Sequence, residues 1–169
     1  MNTDSYFSKT PDTTNYFLQP GYIFVPDTPF TISTVIGSSV AVVLYDRKNH
    51  IGGMNHFQLP FIAEKHRATA LYGNVATPAL VKMVLSHGSG KKHVEAQIFG
   101  GAHDQNRCEK NIGRENIDMA KKVLLEKSIS VISEDIGGAK GRKIVFNTNT
   151  NEIAVLKVDS LRSEDWYPY

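Results

Sequence analysis

The residues best suited to chemistry are a serine and a histidine that lie close together in the chain. Ser39 ends the turn sequence Gly37-Ser38-Ser39, and His56 follows seventeen residues later, shortly after two glycines. A serine hydroxyl attacks a carbonyl only when a base removes its proton, and imidazole is the usual base near neutral pH. In such a turn no bulky side chain blocks the backbone N–H groups from an oxyanion. The pattern suggests Ser39 as nucleophile, His56 as base, and Gly37 and Ser38 as oxyanion donors.

A purely structural explanation of the same residues is also open. In that case Ser39 is a turn residue, and His56 is a half-buried histidine that never meets it. In the catalytic interpretation, a hydroxyl such as that of Ser33 or Thr34 fixes the tautomer of His56 through the other ring nitrogen. Spacing alone does not decide between the two, because it does not show that residues 39 and 56 meet in space.

The remaining reactive side chains form no recognisable site. The other five histidines fit no compact metal motif; they are His50, His66, His87, His93 and His103. The single cysteine, Cys108, lies in a polar stretch without a partner, and we interpret it as an incidental thiol. The sequence GGAKGRK at residues 137–143 lacks the spacing of a phosphate-binding loop. We therefore predict neither a metal nor an organic cofactor.

Composition limits the possible classes of protein. The chain has 169 residues, of which 41% are hydrophobic and 21% charged, and its net charge is +2. This length suits one domain, and the balanced charge argues against nucleic acid or an anionic membrane as the main partner. We find no secretory signal and no apolar run long enough to span a bilayer, so we expect a cytoplasmic protein. A single cysteine excludes an internal disulfide and is typical of a reducing compartment.

Periodicity divides the chain into strands and two helices. Runs rich in β-branched or alternating residues predict strands at residues 21–25, 31–36, 40–45, 50–57, 93–99, 128–136, 143–147 and 152–158. Apolar stripes predict one helix from Thr77-Pro78 to Gly88 and another over residues 112–127. This order is typical of an α+β fold, a single-domain α/β sandwich of mainly β layers covered by two helices. We divide the chain into a flexible N-terminal arm (1–20), one domain (21–158) and a C-terminal tail (159–169).

Several glycine-anchored motifs resemble one known family. The segment STVIGSSVAVVLYDRKNHIGGMNHFQLP is followed in order by YGNVA, IFGGA, IGREN and ISEDIGGAKGRKIVFNTNT. Together they resemble the CheD family, the chemoreceptor glutamine deamidases of bacterial and archaeal chemotaxis, over roughly residues 20–157. The resemblance implies a fold similar to the catalytic domain of cytotoxic necrotising toxins. It also implies hydrolysis of receptor glutamine amides to glutamate and ammonia, without a cofactor, and binding to the cytoplasmic helices of chemoreceptors and to a CheC-type phosphatase.

The resemblance also implies roles for particular residues. Family members use a cysteine nucleophile, a histidine base and a threonine whose hydroxyl orients the histidine. Carried over by position, the histidine is His56, and the hydroxyl six residues before the nucleophile is that of Ser33. The nucleophile falls on Ser39, so the thiol of the family is replaced by a hydroxyl. Asn74 also departs from the pattern, since the family usually carries Asp there.

The exchange of thiol for hydroxyl leaves three explanations open. Ser39 is a deliberate substitution that silences the enzyme, a natural residue of a relative that binds without turnover, or the nucleophile of a working serine amidohydrolase. We interpret the chain as a CheD-type deamidase whose turnover depends on what Ser39 can do. The alternative is a catalytically silent module that binds chemoreceptors or a CheC-type phosphatase.

Overall fold

The computed structural model describes residues 14–166, which form nine strands and three α-helices. The strands are β1 (Thr14–Phe17), β2 (Ile23–Phe24), β3 (Phe30–Ile36), β4 (Val40–Asp46), β5 (Ile51–Asn55), β6 (Val94–Gly100), β7 (Ser130–Ile136), β8 (Gly141–Asn147) and β9 (Ile153–Val158). The helices are α1 (Gly73–Ser86), α2 (Ile112–Glu126) and α3 (Ser163–Trp166). None of the helices within residues 14–166 has the length and hydropathy needed to cross a bilayer.

The strands form two mixed sheets. One sheet has the order β1-β3-β8-β9, and the other has the order β2-β5-β4-β6-β7. The pairs β1–β3 and β6–β7 are parallel, whereas the other pairings between strands are antiparallel. The α+β class predicted from the sequence is therefore confirmed.

Strand β4 shows how the layers are built. Its side chains alternate, so Val42 and Leu44 pack towards the helices while Ala41 and Val43 pack towards the four-stranded sheet. Because both faces are covered, all seven residues of β4 are buried, and residues 40–45 form a continuous apolar run. Helices α1 and α2 both lie on the five-stranded sheet. The molecule is thus a helix–sheet–sheet sandwich, and the two covering helices predicted from the sequence are confirmed.

Helix α1 begins earlier than its sequence predicts. Its first hydrogen bond runs from the N–H of Ala76 to the carbonyl of Tyr72, at 2.8 Å, and Pro78 lies inside the helix rather than in its first turn. Proline at this position leaves the carbonyl of Asn74 without an intrahelical donor. The packing of Ala76, Leu80 and neighbouring residues into the core outweighs that loss. The helix start predicted at Thr77-Pro78 is therefore wrong.

The chain ends belong to the fold more fully than predicted. Residues 1–13 of the predicted arm lie outside the described residues, but β1 pairs with β3 and Leu18 is fully buried. The boundary of the arm at residue 20 is therefore corrected. In the predicted tail, Leu161 and Trp166 pack near Gly37, where an added Cβ would lie 3.4 and 3.9 Å from their side chains. The C-terminal segment thus contacts the turn that carries Ser39.

Candidate active site

His56 lies between two hydroxyl groups in the buried interior. Its Nε2 atom is 2.8 Å from Oγ of Ser39, and its Nδ1 atom is 2.8 Å from Oγ1 of Thr34. His56 and Thr34 have no exposed surface, and Ser39 is 6% exposed. The structure therefore brings Ser39 and His56 into hydrogen-bonding contact, which spacing alone left open.

The hydrogen bond of Thr34 to the backbone determines which nitrogen of His56 carries the proton. The Thr34 hydroxyl donates its only proton to the carbonyl of Leu18, at 2.7 Å. It can then only accept from His56, so Nδ1 is the protonated nitrogen. The lone pair of Nε2 consequently faces the hydroxyl of Ser39. This is the tautomer that a general base needs, because Nε2 can take the Ser39 proton.

Backbone pairing holds the two halves of the site together. Ser39 lies in the turn between β3 and β4, and His56 comes directly after β5. Val40 and Phe57, the next residues along, exchange two backbone hydrogen bonds of 3.0 Å. Because each bond joins a residue adjacent to the site, the distance between Ser39 and His56 is set by main-chain geometry.

The hydroxyl that orients His56 belongs to Thr34, so the position carried over from the family, Ser33, was wrong by one residue. Strand β3 turns Ile32, Thr34 and Ile36 towards the layer between the sheets, where all three are fully buried. Alternation therefore directs Ser33 to the opposite face, away from His56. Counting six residues back from the nucleophile selected Ser33, whereas the apolar residues on either side of Thr34 mark it as the inward-facing hydroxyl.

Burial controls the charge of His56. Removal from water disfavours the imidazolium and lowers the pKa of His56 from 6.5 to about 3, although a backbone hydrogen bond to Leu18 acts in the opposite direction. The ring is therefore neutral at physiological pH, and its lone pair is available. The same burial makes it a weak base, because protonating it inside the protein is unfavourable.

The turn that carries Ser39 is held at three successive carbonyls. Those of Gly37 and Ser39 accept from the N–H groups of Ala102 and Gly101, at 2.9 and 2.8 Å. The carbonyl of Ser38 accepts from Nδ2 of Asn116, at 2.9 Å. The segment at residues 100–102 can come this close because residue 100 is glycine, where a Cβ would overlap the carbonyl oxygen of Ser39. The predicted oxyanion donors, Gly37 and Ser38, thus lie in a rigid turn beside the nucleophile.

Asn116 is a residue of this site that no sequence motif predicted. It lies in the IGREN motif on the buried face of α2, together with Gly113, Ile117 and Ala120. A polar residue on an otherwise apolar helix face is the signal by which it could have been found. Its side chain reaches the carbonyls of both Ser38 and Gln58.

A cleft of about 510 Å³ opens beside the turn. It is lined by Gly37, Ser38 and Gln58 on one side and by Leu161 and Trp166 on another. A larger depression of about 780 Å³ lies between α2 and β7 and is lined by no residue of the turn. Neither cavity is lined by Ser39 or His56 themselves, but the smaller cleft adjoins them because Gly37 and Ser38 of the turn form part of its wall.

The other candidate groups are not assembled into a site. Within residues 14–166, no three His, Cys, Asp or Glu side chains lie close enough together to hold a metal ion. Cys108 is exposed on the rim of the cleft, and its Sγ lies 3.4 Å from the carbonyl of Lys110. Asn74 uses its amide to hold the backbone of Ile62.

The buried array is that of a hydrolase-type site, in which a histidine is oriented by one hydroxyl and faces a second. The family described as CheD chemotactic sensory transduction matches residues 59–157, and the chain belongs to this family. The chain is 42% identical over 140 residues to a "Probable chemoreceptor glutamine deamidase CheD" of Trichlorobacter lovleyi, covering 82% of this chain and 87% of that protein.

Two further relatives give the same result. A "Probable chemoreceptor glutamine deamidase CheD 1" of Anaeromyxobacter dehalogenans is 42% identical, over 79% of this chain and 78% of its own length. A "Probable chemoreceptor glutamine deamidase CheD" of Sulfurimonas denitrificans is 36% identical, over 81% of this chain and 90% of its own length. The family resemblance predicted from the motifs is confirmed.

Proposed function

We propose that this chain is a chemoreceptor glutamine deamidase that hydrolyses glutamine side-chain amides of methyl-accepting chemotaxis proteins. The observation that carries the proposal is the 2.8 Å contact between Oγ of Ser39 and the unprotonated Nε2 of His56. It occurs in a chain whose relatives are named chemoreceptor glutamine deamidases. Hydrolysis of a carboxamide needs a nucleophile, a base and a site for an oxyanion. The turn at residues 37–39 can supply the nucleophile and the oxyanion donors, and His56 can supply the base.

In the first step, Oγ of Ser39 attacks the carbon of the glutamine carboxamide while His56 removes the hydroxyl proton. The amide oxygen becomes an oxyanion next to the N–H groups of the turn. His56 then gives its proton to the departing nitrogen, which leaves as ammonia. The substrate is now joined to Ser39 through an ester.

In the second step, His56 removes a proton from a water molecule, and the resulting hydroxide attacks the ester carbon. The Ser39–acyl bond breaks, and the proton returns to Oγ of Ser39. The substrate side chain leaves as glutamate, and the site is restored. Thr34 keeps Nδ1 protonated throughout, so that Nε2 alone exchanges protons.

The hydroxyl at position 39 limits this chemistry. A thiol has a pKa near 8.5, and the thiolate is a strong nucleophile, whereas a serine hydroxyl must lose its proton to the base during attack. The buried His56 is a weak base with a pKa of about 3, so the transfer from a hydroxyl is unfavourable. We therefore expect slow turnover with Ser39 and faster turnover when a thiol takes its place.

The test is incubation with a purified cytoplasmic fragment of a chemoreceptor, followed by peptide mass spectrometry of its glutamines. We expect the Ser39→Cys variant to convert glutamine to glutamate and the Ser39→Cys/His56→Gln variant to leave it unchanged. An inert Ser39→Cys variant that still binds the fragment would contradict the enzymatic proposal. That result would favour the alternative function, a catalytically silent module that binds chemoreceptors.

We also propose a location for the protein and a second partner. The cytoplasmic part of the receptor is the proposed substrate, so we place the protein in the cytoplasm. A CheC-type phosphatase is a second proposed partner, supported by family resemblance alone. Size-exclusion chromatography of the mixed proteins tests it: co-elution is expected, and separate elution at micromolar concentrations would contradict it.

A further inference from the structure

We propose that Asn116 is a positioning residue that aims the N–H group of Ser39 at the oxyanion. This inference rests on the proposed deamidase function and adds a residue to it. Asn116 is fully buried on α2, and its Nδ2 group donates to the carbonyls of Ser38 and Gln58, both at 2.9 Å. Asn116 thus contacts the turn that carries the nucleophile without contacting the nucleophile itself.

The direction of the Ser39 N–H follows from the peptide that contains it. In a planar trans peptide, the carbonyl and the N–H point in opposite directions. Asn116 draws the carbonyl of Ser38 into the protein, so the N–H of Ser39 points away from α2. Among the described residues, this N–H has no backbone acceptor, unlike the N–H of Val40, which donates to Phe57 at 3.0 Å. An N–H that is fixed in direction and unused is what an oxyanion donor requires.

Only the central carbonyl of the turn depends on a side chain. Those of Gly37 and Ser39 are held by backbone N–H groups, which no substitution removes directly. Among residues 14–166, the carbonyl of Ser38 is held by Asn116 alone. Within the turn, substituting Asn116 therefore frees only the peptide with the unused donor. The carbonyl of Gln58 also loses its donor, but that peptide stays held through the N–H of Leu59, which donates to the carbonyl of Leu71 at 3.0 Å.

The hydrogen bonding of Asn116 is uneven in a way that fits this role. Both of its N–H donors are used, but its Oδ1 atom is buried and has no partner among the described residues. An unpaired buried acceptor is destabilising, so stability alone does not favour an asparagine here. The presence of asparagine at position 116 is better explained by its two N–H donors, which hold the carbonyls of Ser38 and Gln58.

Loss of Asn116 should leave the nucleophile and base together. Val40 and Phe57 exchange two backbone hydrogen bonds beside the pair, and Asn116 takes no part in them. The expected defect is therefore confined to oxyanion binding. This separates Asn116 from a residue that merely keeps the region folded, because general damage would also part Ser39 from His56.

The experiment compares two reactions of one thiol in a Ser39→Cys/Cys108→Ser background, where position 39 carries the only cysteine. Alkylation by iodoacetamide needs the thiol and His56 but forms no oxyanion, whereas deamidation of a receptor fragment needs all three. For Asn116→Leu we expect alkylation within about threefold of the background, and kcat for deamidation lower by about 10²-fold with little change in KM. Asn74→Leu, which removes another loop-holding amide, is the matched control and should retain both reactions.

Two outcomes would overturn the proposal. If alkylation and deamidation fall together, Asn116 holds the whole site rather than one donor, and if neither falls, it has no part in the reaction. Should Asn116→Leu fail to fold, Asn116→Ala, which removes the amide without adding a polar group or bulk, is tested by the same two reactions and judged by the same criteria.

If the background protein binds the receptor fragment but does not deamidate it, the proposed function fails, and crystal structures decide the role of Asn116 separately. We then expect the peptide between Ser38 and Ser39 to rotate in the variant. An unchanged peptide, or a protein acceptor for the Ser39 N–H in the unsubstituted chain, contradicts the role assigned to Asn116.

Discussion

His56 and His87 both use their two ring nitrogens, but the groups that they meet differ in chemistry. His56 lies between the hydroxyls of Thr34 and Ser39. His87, at the end of α1, has Nδ1 2.8 Å from the carbonyl of Met83 and Nε2 2.9 Å from the carboxylate of Asp27. A hydroxyl can donate or accept, whereas a carbonyl and a carboxylate only accept.

The difference explains why only one of these rings is arranged to act as a base. Both partners of His87 only accept hydrogen bonds, so neither offers a proton that a ring lone pair could take. At His56, the bond from Thr34 to Leu18 commits one nitrogen as donor and leaves the other free to accept. A histidine with two close partners is therefore not by itself evidence of catalysis; the donor or acceptor character of the partners decides.

The largest expected effect comes from removing the proposed base. In the Ser39→Cys background, His56→Gln should lower the rate of receptor deamidation by about 10³-fold, within the range for loss of a general base. His87→Gln should leave the rate within about twofold, since His87 contacts neither the turn nor the cleft. Initial rates by mass spectrometry measure both. Equal losses at the two histidines would show that the hydrogen-bond partners of a histidine do not decide whether it acts as the base.

The next effect concerns the hydroxyl behind His56. Thr34→Val removes the acceptor for the Nδ1 proton and permits the wrong tautomer, so we expect kcat to fall by about 10²-fold. Ser33→Ala, on the outer face of the same strand, should change kcat by less than about twofold. A larger loss at Ser33 than at Thr34 would restore the sequence-based choice and contradict the observed geometry.

A smaller effect is expected in the pH dependence of stability. The folded state keeps His56 neutral with a pKa of about 3, while the unfolded chain takes up a proton near 6.5. Stability from this group is therefore present above pH 6.5 and lost as the pH falls, by about 2 kcal/mol between pH 7.5 and pH 5. Urea unfolding at the two pH values measures it, and His56→Gln should show a flatter dependence. Equal slopes would mean that His56 is not buried as described.

The smallest effect is expected at the pair formed by His87 and Asp27. The Asp27 side chain is 91% exposed, so solvent screens its interaction with the ring. A double-mutant cycle with His87→Asn and Asp27→Asn should give a coupling free energy below about 1 kcal/mol by urea unfolding. A coupling free energy of several kcal/mol would contradict this expectation, because it would show that solvent does not screen the pair.

The sequence was informative where one local pattern dominated. Alternation and β-branched runs located the strands, and the apolar stripe of α2 located that helix almost to the residue. The pattern was less informative where packing overrides a local signal. Pro78 predicts a helix start, but Ala76 and other core residues extend α1 before it.

The site shows the same limit. Ser39 and His56 were found by their residue types, and their contact depends on the pairing of Val40 with Phe57, which is distant in sequence. Asn116 was missed because its function comes from reaching a turn 78 residues away, which no local pattern encodes. Thr34 was separable from Ser33 only through the face of the strand on which each lies.

The protonation of the His56 ring in the unsubstituted chain is the most direct test of this account. Nitrogen NMR of the imidazole, recorded near neutral pH on protein labelled at histidine, distinguishes the two tautomers and the imidazolium. We predict a protonated Nδ1 and an unprotonated Nε2, with this preference lost in Thr34→Val. A protonated Nε2 in the unsubstituted chain would contradict the account, because no lone pair would then face position 39.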